Sequence, residues 1–225
     1  MKFTFPALVV TAGLAFAAPA SAGIKPVPAG EVSLSTRGYS KGLAQTEGVQ
    51  GVGRFELGFG QFVLATQYKN ISSATADGEA TFSGIWKGKA AGFDLGMTAS
   101  WKRLIGLEGQ VDPDTFEFIP TVSRKFGPLT ARLTLTWSPD DLGRTGESAW
   151  VEAGVSWKLD GKTNLVANAG RRERERGTDY TAFNAGVTRT LLKGVTADLR
   201  YYDSARSELG DPFEGRVVGS LRARF

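Results

Sequence analysis

The sequence predicts an all-β protein, a transmembrane antiparallel up-and-down β-barrel of about twelve strands, and three observations carry that prediction. The final segment alternates strictly: Phe213, Gly215, Val217, Gly219, Leu221, Ala223 and Phe225 on one face, mostly charged or polar residues such as Glu214, Arg216, Arg222 and Arg224 on the other. A strand with a thin apolar stripe outside and arginines inside suits a closed barrel in lipid. Connections alternate between tight turns and longer polar loops, and aromatic residues fall at two levels along the strands. Those are the two ends and the two interfacial girdles of a membrane barrel.

Taken in order, the chain opens with a basic Lys2, an apolar stretch from Ala7 to Ala18 and a small-residue site at Ala20-Ser21-Ala22. This is the pattern of a cleaved export signal over residues 1–22, too short for a spanning helix. Residues 23–30, with Pro26 and Pro28, read as a periplasmic lead-in that could also fold back into the lumen, and residues 31–225 as the barrel. The expected strands are 31–39, 51–59, 61–70, 78–87, 92–102, 115–125, 129–137, 148–159, 163–172, 179–190, 195–202 and 213–225. Each is close to the ~9–11 residues that a tilted strand needs to cross a bilayer.

Tight turns are expected at Gly60, residues 88–91, Phe126-Gly127-Pro128, Asp160-Gly161-Lys162 and residues 191–194, which carry the glycine, proline and aspartate that turns demand. An even strand number places both ends of the barrel on the short-turn, periplasmic side. The girdles are Phe59, Phe62, Trp86, Phe93, Trp157 and Phe225 near the turns, and Tyr68, Trp101, Trp137 and Tyr201 near the loops, where Phe116 and Phe213 are also expected. Trp150 has the parity of the interior face and is expected to pack inside.

Composition excludes several classes. Cysteine is absent, so there is no disulfide framework, thiolate metal site or lipidated cysteine. The formal charge of +4 falls to +3 once Lys2 leaves with the signal, which does not suggest nucleic-acid binding. The chain has no histidine to serve as a base for a serine or a water, so an enzyme working with the loop carboxylates Asp140, Asp141, Asp203 or Glu208 is not expected. No cofactor or metal is expected either. Asp112-Pro113-Asp114 and Asp140-Asp141 lack a calcium-loop spacing and read as turn residues.

The chemistry lies on the inward face. By parity it holds Arg54, Glu56, Asp94, Glu117, Arg132, Glu152, Asp198, Arg200, Glu214, Arg216 and Arg222 as expected pore-lining residues, with Arg37, Lys87, Lys102, Lys125 and Arg224 sharing that face. A basic residue facing lipid near the midplane would cost about 2–4 kcal/mol, which fixes their direction. Two readings stay open: the charges line an aqueous path for small hydrophilic solutes, weakly favouring anions, or they pair and close the lumen, leaving a structural or adhesion barrel that works through its loops. The run Arg171-Arg172-Glu173-Arg174-Glu175-Arg176 reads as a solvated loop, with lipopolysaccharide phosphate as its natural partner. Outer-membrane lipid and the barrel-assembly machinery, through Phe225, complete the expected partners.

The stretch VSLSTRGYSKGLAQTEGVQG, residues 32–51, resembles the opening of the TorF-type family of bacterial porins. Lys41-Gly42 stands where that family usually has Arg-Gly, Ala44-Gln45-Thr46 stands for Ser-Gln-Thr, and the family's aromatic is replaced by Gly38. The resemblance covers about twenty residues and implies an outer-membrane barrel with porin function.

Overall fold

The computed structural model describes residues 25–73, 76–107 and 112–225. The expected signal segment and its cleavage site lie outside the described residues. Alternation builds the strands: β1 (Val27–Ser35), β4 (Gln50–Phe59), β5 (Phe62–Ser73), β6 (Ala76–Ala90), β7 (Phe93–Ile105), β8 (Asp114–Phe126), β9 (Leu129–Asp141), β10 (Gly146–Lys158), β11 (Thr163–Arg174), β12 (Tyr180–Leu192), β13 (Val195–Ser204) and β14 (Arg216–Arg224). Two short strands, β2 (Tyr39–Ser40) and β3 (Leu43–Ala44), form a separate hairpin within the first loop. Each long strand pairs antiparallel with its sequence neighbours, and β1 pairs with β14, so twelve strands close into one barrel. Closure leaves no free sheet edge, the condition for a β-sheet to survive in hydrocarbon.

The two faces separate as the alternation requires. Leu64, Phe82, Leu133, Val151, Leu165, Leu199, Val217 and Leu221 all stand exposed on the outside. At the turn end, Phe59 pairs with Phe62 and Phe62 with Trp86, while the Arg124 guanidinium sits 5.0 Å over the Phe93 ring. At the loop end, Trp101 stacks on Phe82, Trp137 meets Phe118 and donates from Nε1 to Glu147, and the Tyr201 hydroxyl bonds Asp203. Aromatic rings gathered at two levels, some with a polar tip, are what headgroups select.

Strand limits differ from the sequence expectation in places that have a physical reason. β1 starts at Val27, so part of the expected lead-in is wall: Gly30 exchanges backbone hydrogen bonds with Phe225, and the Phe225 ring occupies the space a Cβ at residue 30 would need. The expected turn at 88–91 is instead made by Ala91 and Gly92, both at positive φ of 50° and 79°, the type I′ geometry that matches strand twist. β14 begins at Arg216 rather than at residue 213, because Asp211–Phe213 forms a single 3₁₀ turn with proline near its start. Phe213 and Glu214 therefore lie in the last loop, and Phe213 points inward instead of joining the outer girdle.

Candidate functional site

The lumen is divided into two unlike halves by the first loop. β1 ends at Ser35 and the chain turns into the barrel, where Lys41 and Gly42, at φ of 50° and 79°, make the type I′ tip of the β2–β3 hairpin. One side of this hairpin is apolar. Leu43 packs on a buried cluster of Trp150, Tyr180 and Ala182, and the Tyr180 hydroxyl donates to the Lys41 carbonyl at 2.8 Å. Phe213 meets Tyr180 edge-on, with centroids 5.5 Å apart. Trp150, 5% exposed, packs inside as its parity requires.

The other side is ionic. Lys41 Nζ lies 2.5 Å from Glu117 Oε1 and 3.9 Å from Asp141 Oδ2, while Lys102 reaches Glu117 Oε2 at 2.7 Å and Glu79 at 3.9 Å. Glu79 also pairs with Lys69 at 3.1 Å, and Lys69 donates to Gln45 Oε1 of the loop at 2.7 Å. Asp141 accepts from Arg172 and, at 2.8 Å, from the Ser148 hydroxyl. Four cations and three carboxylates thus form one continuous chain across β5, β6, β7, β8, β9 and β11, with the hairpin lysine at its centre. Glu117 is 2% exposed and lines no aqueous path. Buried charge survives only when paired this completely.

Farther toward the turns the same inward positions are open. Arg54 bonds Glu56 at 2.7 Å, Arg224 reaches Glu56 at 3.3 Å, and Arg132 meets Glu152 at 2.9 Å and Asn168 at 3.2 Å. Arg222 and Arg224 have side chains 59% and 60% exposed. Lys87, Asp94 and Lys125 are exposed beside the turns, with Asp94 paired to Lys89. Asp198 takes hydrogen bonds from Thr188 and Arg200, and beside them a cavity of about 290 Å³ opens between β1, β2, β4, β12, β13 and β14. At the loop rim, Asp211 joins Arg37 and Arg216, and Glu214 bonds Arg216 at 2.7 Å. The Arg37 hydrogen bond holds the Asp211 carboxyl below the usual aspartate range.

Several expectations need correction. Glu214 is a loop residue at the mouth, not a strand residue of the wall. Arg172 is not part of a solvated loop: β11 runs on to Arg174, and inward parity buries Arg172 on Asp141, while Arg171 and Glu173 pair on the exposed face. Asp141 is a buried acceptor and not only a turn residue. Lys41, Lys69 and Glu79 were not expected at the site. Lys69 and Glu79 carried a usable signal, being in step with Val63, Ala65 and Gln67 on one strand and with Thr81 and Ser83 on the next.

No family model matches the chain, and no curated protein matches it in sequence. Solved structures do match its shape. The chain is similar to KdgM porin (TM-score 0.61, 7% identity, covering 88% of this chain and 99% of that one) and to NanC porin (TM-score 0.57, 8% identity, 87% and 97%). It is also similar to an outer membrane channel from Pseudomonas putida F1 (TM-score 0.52, 14% identity, 88% and 94%). At these identities the likeness establishes the fold alone, a closed antiparallel barrel of twelve strands.

Proposed function

We propose that the protein is a channel of the bacterial outer membrane for small hydrophilic solutes, weakly favouring anions and obstructed at its loop end by the 39–44 hairpin. The carrying observation is the contrast within one lumen: paired, buried charge around Lys41 and solvated arginines at Arg132, Arg222 and Arg224 farther in. A wall in which guanidinium groups outnumber carboxylates concentrates anions by a field that salt weakens. The similarity in shape to porins supports the same reading, as does the TorF-type resemblance of residues 32–51, a stretch that contains the hairpin. The exported leader and Phe225, offered at the turn end, fit delivery to that membrane. The Arg171–Glu173 face would meet lipopolysaccharide.

The hairpin also favours a second reading, a closed barrel that works through its loops. Planar-bilayer recordings separate the two. A channel gives unitary steps with an anion-biased reversal potential in a salt gradient, several-fold larger when residues 38–46 are replaced by a short glycine-serine link. Silence from folded protein both with and without the hairpin overturns the channel.

A further inference from the structure

Among the described residues the outer wall carries arginine at four strand positions, and the four divide by height. Near the loops, Arg103 and Arg171 meet carboxylates of the same wall, Asp114 at 3.4 Å and Glu173 at 3.2 Å. Near the turns, Arg124 and Arg189 have no ion pair among the described residues. Arg124, in step with the exposed Phe116, Phe118 and Phe126, makes no hydrogen bond there either; its guanidinium lies 5.0 Å from the centre of the Phe93 ring and 5.3 Å from that of Phe126. Arg189, in step with the exposed Phe183 and Leu191, donates one hydrogen bond, at 3.2 Å to the Thr163 hydroxyl. A guanidinium on the lipid face is tolerated near the edge of the bilayer, where it reaches headgroups while its stem stays in hydrocarbon.

Between the two runs an apolar row joined rung by rung, Phe126 opposite Leu129, Leu129 opposite Trp157, Trp157 opposite Leu165 and Leu165 opposite Val187. From Leu129 onward these residues, with the small Ala167 and Ala185, line a shallow hollow of about 580 Å³. Lys87, Lys125, Lys158, Lys162 and Lys193 stand exposed beside the same turns. Of the nearby carboxylates, Asp94 is engaged by Lys89, and Asp160 by the backbone N–H groups of Lys162 and Thr163.

We propose that this strip of outer wall binds two anionic phospholipids of the leaflet at the turn end, one phosphodiester at each arginine and acyl chains in the hollow between. The planar fork of a guanidinium suits phosphate oxygens. Arg124 on β8 and Arg189 on β12 stand four strand spacings apart, roughly 19 Å, too far for one phosphodiester and wide enough for two lipids side by side. The surrounding lysines attract a lipid of net negative charge and disfavour the ammonium of a zwitterionic one. The apolar row offers a place to tails and nothing to a soluble anion. The inference takes from the preceding reading only the bilayer, and is indifferent to whether the lumen conducts.

Native mass spectrometry of the folded full chain, released from detergent holding equal amounts of phosphatidylglycerol and phosphatidylethanolamine with the same acyl chains, tests this. Two phosphatidylglycerols are expected to stay bound, each preferred by about fivefold, the worth of one arginine near a membrane surface. Arg124→Gln and Arg189→Gln, both at exposed positions that leave the barrel folded, are each expected to release one, and the double variant both. Arg103→Gln, at the paired position near the loops, leaves retention unchanged. Equal retention of the two lipids, or wild-type retention in the double variant, overturns the site. Displacement by an equal concentration of glycerol 3-phosphate assigns the arginines to a soluble phosphate, and a dimer lost in the double variant assigns the strip to a second copy; either overturns the lipid. Conductance of the same preparation keeps the two ideas apart: current without lipid preference sinks the site and spares the channel, and lipid preference without current supports the site and sinks the channel.

Discussion

The loop-end and turn-end halves of this lumen are written in the same residues and behave oppositely. Around Glu117 every charge has a partner and the carboxylate is 2% exposed; around Arg222 the guanidinium is more than half exposed and its carboxylate neighbour is 3.4 Å away. Both sets face inward by the same parity. What separates them is whether a second layer of chain covers them, so an inward charge is structural or solvated according to its height in the barrel.

The sharpest way to break that contrast is to remove one charge from each half. Glu117→Gln leaves Lys41 and Lys102 buried without their shared partner and should cost about 3–5 kcal/mol, as uncompensated buried charges do. Arg222→Gln should change stability by less than about 0.5 kcal/mol, as exposed substitutions do. Urea unfolding of the two variants in detergent compares them, and equal costs would erase the distinction between halves.

Glycines give a second pair. Gly42 and Gly60 both sit at positive φ, but a Cβ at Gly42 would come within 2.2 Å of the Ala182 Cβ, whereas at Gly60 it meets nothing within 4 Å. Both alanine variants carry the left-handed strain of about 1–2 kcal/mol. Gly42→Ala should cost a further ~1–3 kcal/mol for overpacking, and should raise conductance by unseating the hairpin; Gly60→Ala should leave conductance as it is.

A smaller effect is expected from hydroxyls. Ser138 has no exposure at all and shares a 2.8 Å hydrogen bond with Thr115. Ser138→Ala should cost about 1 kcal/mol, whereas Ser156→Ala, in the turn-end half, should stay within about 0.5 kcal/mol. Thermal unfolding of both variants measures the difference.

The smallest effect is a pH response at the loop rim. Bonding to Arg37 lowers the Asp211 carboxyl below its usual value near 4. A depressed carboxylate stabilises the folded form above its unfolded pKa, and that contribution disappears as pH falls through the folded one. Hydrogen exchange at residues 207–216 should therefore stay constant from about pH 7 to about pH 5 once corrected for intrinsic rates, and quicken only below about pH 4. Asp211→Asn should already show the quickened exchange at neutral pH.

Much of this was legible in the sequence. Period-two alternation at Val217 and Leu221 told the outside from the inside, and the same parity put Trp150 in the lumen. Alternation gives direction but neither height nor cover, so Glu117 read as pore lining when it is buried. The hairpin was hidden for a different reason. Its anchors Trp150, Tyr180 and Ala182 are more than a hundred residues from Lys41, and Lys-Gly is a weaker type I′ signal than Asn-Gly. Arg172 was misplaced because a dense run of arginines and glutamates looks solvated until its alternate members are found on opposite faces of β11.

Ser35 and Gln50, the residues that bracket the first loop, are rungs of the same ladder. Both ends of the stopper are therefore moored at one point on the rim. Losing the cork would break its own contacts and none of the rungs that join one stave of the cask to the next, so its seating and the closure of the wall are separate matters.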